Sequence, residues 1–64
     1  MAGFTRDVKR ALREGGCSYL RPGKGDHEIW HSPKTKLCFP VDANIKSRHT
    51  ANAIMKQAGL ATRF

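Results

Sequence analysis

Cations, an imidazole and an aromatic ring come together in one short stretch, Arg21-Pro22-Gly23-Lys24-Gly25-Asp26-His27-Glu28-Ile29-Trp30-His31. Pro22 fixes φ, and Gly23 and Gly25 permit φ > 0, so the stretch opens as a turn. Ile29 and Trp30 suit a strand. Histidine titrates near neutral pH, with an ordinary pKa of about 6.5, and can take or give a proton there. His27 therefore sits on a rigid element beside basic residues and glycine-freed backbone, an arrangement able to hold a phosphodiester. Two readings follow: a catalytic His27, or a β-hairpin with a surface histidine. Arg21, Lys24, Lys34 and Lys36 can engage phosphates. Trp30 and Tyr19 offer rings for unpaired bases, with packing in the core as the other role for Trp30.

Other constellations are weaker. His27 and His31 lie on one strand face but are separated by roughly 13 Å at about 3.3 Å per residue, too far to share one phosphate. His49 opens a helix and reads as a surface residue. Cys17 and Cys38 show no metal-ligand spacing. They fall on the two outer strands of the expected sheet, roughly 9–10 Å apart, which argues against a disulfide. No metal and no cofactor are expected.

The elements that must position these groups can be read in order. Thr5 caps a first helix whose apolar stripe is Val8, Ala11 and Leu12, with Gly15-Gly16 ending it. Residues 1–3 read as loose. Strands follow at Cys17–Arg21, His27–His31 and Leu37–Val41, joined by turns at Pro22–Asp26 and Ser32–Thr35. Alternation places Cys17, Tyr19 and Arg21 on one face, and Leu37, Phe39 and Val41 on one face. Pro40 lacks an N–H and so marks an edge strand. A loop at Asp42–Lys46 leads to Ser47, which caps a second helix with Ala51, Ile54, Met55 and Ala58 on its apolar side. Gly59 closes that helix, and Leu60 folds back on Met55. The tail, Ala61–Phe64, carries no signal.

The expected fold is α+β, in the order α-β-β-β-α. It is a two-layer sandwich, a three-stranded antiparallel sheet with both helices on one face.

The chain has 64 residues, with twelve Lys and Arg against five Asp and Glu, a net charge of +7, and a pI of about 10.1. Residues 1–64 form one small domain, too small to enclose a large substrate cavity. The charge points to a polyanionic partner, nucleic acid before membrane, because neither helix pairs a broad apolar face with a lysine-rich one. No apolar run resembles a signal peptide or a membrane span, and a cytoplasmic protein with free thiols is expected.

The chain resembles the HicA toxins. The resemblance rests on the helix ending at Gly15-Gly16, on Gly25-Asp26-His27-Glu28-Ile29-Trp30, on Phe39-Pro40-Val41, and on Met55-Lys56-Gln57-Ala58-Gly59-Leu60. It implies a fold like the double-stranded-RNA-binding domain. It also implies an mRNA interferase that cleaves RNA independently of the ribosome and is blocked by a HicB-type antitoxin; because RNA carries its own 2′-hydroxyl nucleophile, a histidine route to cleavage requires no metal. The family's catalytic histidine maps onto His27. Beside it, the residues themselves suggest Lys24 and the Gly25 backbone to hold a phosphate, Arg21 to position the strand and Trp30 to contact a base. Asp26 stands where the family often has Ser or Thr. Asp42 stands where some members carry histidine, and no role is carried over to it. Homo-oligomerisation is left open. The alternative is a non-catalytic RNA-binding module of the same fold. A DNA-binding antitoxin is the weakest reading, since no helix-turn-helix spacing is present.

Overall fold

A computed structural model describes residues 3–64; the loose segment expected at 1–3 lies outside the described residues except for Gly3. The element order is α1 (Thr5–Glu14), β1 (Ser18–Pro22), β2 (Glu28–Ser32), β3 (Leu37–Val41) and α2 (Arg48–Gln57). The strands form one antiparallel sheet in the order β1-β2-β3. This is the expected α-β-β-β-α, α+β architecture, with β2 central and Pro40 on an edge strand.

One face of the sheet supplies Trp30, Phe39 and Val41 to the core. Val8 and Leu12 of α1 and Ala51, Ile54 and Met55 of α2 join the same cluster. Both helices thus cover a single sheet face, as their narrow apolar stripes require. Leu37 shares the parity of Phe39 and Val41 yet is 57% exposed, because it starts the edge strand.

Both helices end in the same way. The Cys17 N–H reaches the Leu12 carbonyl and the Gly16 N–H reaches Arg13; the Leu60 N–H reaches Met55 and the Gly59 N–H reaches Lys56. This 6→1 and 5→2 pairing is the Schellman motif, and glycine stands at its special position each time. Ser47 caps α2 by accepting from the His49 and Thr50 N–H groups.

Thr5 departs from expectation. It is the first residue of α1, and its hydroxyl accepts the N–H of Ile45 at 2.8 Å, while the Phe4 N–H donates to the Ile45 carbonyl. The loop before α2 is thereby tied to the start of α1, with Ile45 fully buried. Ser32 is likewise fully buried. Its hydroxyl donates to the Ala58 carbonyl at 2.6 Å and pins the end of β2 to the end of α2. The tail also packs: the Phe64 N–H donates to Asn52 on α2, and the Phe64 ring meets Phe4 edge-on.

Candidate functional site

The turn before β2 is built around Gly25. The His27 N–H donates to the Lys24 carbonyl, and the His27 carbonyl accepts from Gly23. Gly25 takes φ +62 at the first central position, the sign that a two-residue hairpin turn of the II′ kind demands of glycine. Both backbone polar groups of His27 are thus committed to the turn, and only the side chain is free to act.

The β2–β3 register decides what that side chain meets. Glu28 pairs with Val41 as the last rung, so His27 and Asp42 are the next positions outward on the two strands. The His27 Nε2 lies 3.2 Å from the Asp42 Oδ1, with the two side chains 48% and 44% exposed. A small open hollow of about 180 Å³ adjoins them, lined by Asp26, His27, Asp42, Ala43 and Asn44. It is half-open to solvent and large enough for a phosphodiester rather than a large ligand.

Sequence reasoning carried no role to Asp42, and the structure sets it beside His27. The available signal was strand pairing: an antiparallel partner strand ending at Val41 brings the next residue across from His27.

Arg21 is placed differently from expectation. The sequence alternation assigns it to the face of Tyr19, but the β1–β2 register slips between Tyr19 and Arg21. Tyr19 pairs with Trp30, and Arg21 pairs with Ile29. Directly paired residues share a face, so the extra residue, Leu20, turns Arg21 onto the open face of the sheet, the face that His27 also takes by alternation. Lys24 is exposed at the tip of the turn. Neither cation lines the hollow beside His27, where the charged neighbours are Asp26 and Asp42.

Trp30 is placed in the core. It is 4% exposed and faces the helices, with Tyr19 edge-on at 6.4 Å. A ring so enclosed has no face to offer a base, and of its two expected roles the structure shows packing. Alternation carries the same information, since Trp30 shares its face with Glu28 and Ser32, away from His27. His31 stands between Ser18 and Cys38 on the open face. His49 is exposed in the first turn of α2. Cys17 is buried and Cys38 exposed, both as free thiols. Among the described residues, no three His, Cys, Asp or Glu side chains are grouped to hold a metal ion.

Glu28 lies on the helix side, not with His27. Its carboxylate accepts from the Trp30 indole N–H at 2.9 Å and from the Lys9 ammonium at 3.3 Å. The Trp30 hydrogen bond, then Lys9, holds its pKa below the usual glutamate value against the opposing effect of partial burial. A carboxyl lowered on folding stabilises the native state above its unfolded pKa of about 4.3. That contribution is lost as pH falls through the lowered folded value. The thermal midpoint of the wild type is expected to fall more steeply than that of Glu28→Gln between about pH 5 and pH 3. Parallel curves would show that ionisation of Glu28 adds nothing to stability in that range.

Fold and site together define a small, basic α+β protein that displays a carboxylate-backed histidine on an open rim. The family described as HicA toxin of bacterial toxin-antitoxin matches residues 5–60. That match spans most of the chain, and the protein belongs to the HicA toxin family; it is a toxin of a toxin–antitoxin system. No curated protein and no solved structure matches the chain significantly. No helix among the described residues is long and apolar enough to cross a membrane.

Proposed function

We propose that this toxin is an endoribonuclease, a metal-independent mRNA interferase that acts without the ribosome and is neutralised by a HicB-type antitoxin. The observation that carries the reading is the His27–Asp42 pair, an imidazole fixed by its turn with a carboxylate 3.2 Å from one nitrogen. The net charge of +7 supports a polyanionic substrate. The α-β-β-β-α order supports kinship with the double-stranded-RNA-binding fold, and mRNA as substrate places the action in the cytoplasm.

RNA carries its own nucleophile. With Nε2 turned to Asp42, the Nδ1 of His27 is the nitrogen that takes the proton of a 2′-hydroxyl. The 2′-oxygen attacks phosphorus, the P–O5′ bond breaks, and the leaving 5′-oxygen takes a proton from water. The products are a 2′,3′-cyclic phosphate and a 5′-hydroxyl, and the imidazolium returns its proton to solvent. Asp42 faces the positive charge that develops on the ring. Lys24, Arg21 and the Gly25 N–H steady the phosphate from the turn.

The test is cleavage of single-stranded RNA by the purified protein in EDTA, with Asp42→Asn alongside. The wild type is expected to leave cyclic-phosphate ends. Asp42→Asn is expected to lower kcat about tenfold or more with little change in KM, because it disturbs proton transfer and not binding. Activity lost in EDTA and restored by magnesium or zinc would overturn the metal-independent route. RNA binding without cleavage would leave a non-catalytic RNA-binding module.

A further inference from the structure

A second hollow lies away from His27. It is an open groove of about 440 Å³ between α1 and β1, on the helix side, lined by Lys9, Arg13, Tyr19, Glu28 and Trp30 among others. Its size falls within the range of about 300–1,000 Å³ typical of small-ligand sites. The one carboxylate in it, Glu28, is already engaged by Trp30 and Lys9. Among the described residues Arg13 has no carboxylate partner. Lys9 and Glu28 therefore cancel, and Arg13 leaves the groove with a free positive charge at its rim.

The aromatic lining is equally specific. Tyr19 is 48% exposed, and its ring stands at 78° to that of Trp30. The contact with the enclosed indole holds the tyrosine in place while half of it remains open to solvent. Such a ring beside a free guanidinium has the chemistry that unpaired bases and phosphates recognise. A peptide adding a strand to the β1 edge is disfavoured, because the bulge at Leu20 interrupts the run of that edge.

We propose that this groove is a nucleotide subsite for single-stranded RNA. An unpaired base stacks on Tyr19, and a neighbouring phosphate pairs with Arg13. Glu28 in the groove directly follows His27 in the chain, and Arg21 and Lys24 of the β1–β2 hairpin are exposed. The proposal rests on RNA being the ligand, and it does not require that RNA be cleaved.

Trp30 is the only tryptophan of the chain, and it lines the groove, so its fluorescence senses a ligand there as well as the core it packs in. The experiment is a titration of a short single-stranded oligoribonucleotide into His27→Gln, a background chosen to keep the ligand intact. RNA is expected to change the Trp30 emission. Adding Tyr19→Ala is expected to weaken binding about tenfold or more, and Tyr19→Phe by no more than about twofold, since stacking needs the ring and not the hydroxyl. Arg13→Gln is expected to weaken binding and to flatten its salt dependence. Circular dichroism of each variant establishes that it is folded.

Unchanged RNA affinity in folded Tyr19→Ala would overturn the subsite, as would RNA binding with no change in Trp30 emission. Release of an antitoxin by Tyr19→Ala with RNA affinity intact would make the groove a protein contact instead. Failure of the cleavage reading leaves this titration untouched, because it is made in a variant that lacks the proton-transfer group. Failure of the subsite leaves the His27 dependence of cleavage untouched.

Discussion

His27→Gln is expected to fold, to bind RNA as the wild type does, and to cleave it about 10²–10⁴-fold more slowly, the usual worth of a positioned proton-transfer group. Fold and binding should survive because the histidine holds the turn with its backbone. Its N–H and carbonyl close onto Lys24 and Gly23, and any residue with a free N–H makes the same bonds. The side chain is half exposed, so its replacement opens no cavity. Glutamine keeps hydrogen-bonding capacity toward Asp42 but cannot exchange a proton near neutral pH. His27→Ala removes both functions and leaves room beside Asp42. Imidazole added to the buffer is expected to restore part of its activity and none to His27→Gln, where the amide fills the space. Equal cleavage by wild type and both variants would remove His27 from the mechanism.

Trp30→Ala is expected to leave little folded protein. Truncating a buried Trp to Ala costs about 3–5 kcal/mol. A domain of this length holds roughly 3–10 kcal/mol in all, at about 0.05–0.15 kcal/mol per residue. Trp30 is central in β2, it packs among the buried side chains of both helices, and its indole N–H satisfies Glu28. The substitution therefore opens the core and removes a donor from a partly buried carboxylate. Trp30→Phe keeps a six-membered aromatic ring in the core but loses the pyrrole part of the indole with its N–H. It is expected to fold and to cleave RNA, with a modest loss of thermal stability. Denaturant unfolding followed by far-UV circular dichroism separates the two variants. A stable Trp30→Ala that binds RNA poorly would return Trp30 to a base-contacting role and overturn its assignment to the core.

Much of the fold is legible in the sequence because its signals are local. The apolar spacings of Val8–Leu12 and Ala51–Ala58 identify two helices, and the glycines at 16 and 59 end both with the same hydrogen-bond pattern. Ser47 marks the start of α2 through bonds to residues two and three positions on. Pro40 assigns β3 to an edge because it has no N–H to give. Of the site, the glycine turn and His27 are readable in the same way, since a turn type follows from its own residues.

The order of elements, the helix ends and the histidine-bearing turn follow from the residues alone. Tertiary structure decided the neighbours. Asp42 meets His27 only through the β2–β3 register. A single extra residue in β1 moves Arg21 to the other face, and no local propensity announces that slip. The Thr5 hydroxyl serves Ile45 across the fold instead of its own helix, and the Ser32 hydroxyl reaches Ala58. The groove between α1 and β1 exists only once Lys9 and Arg13 are packed over Tyr19 and Trp30. Helix periods and turn chemistry are properties of neighbouring residues. Register, bulges and long-range hydrogen bonds are set by the packing of the whole core, and no window of sequence contains them.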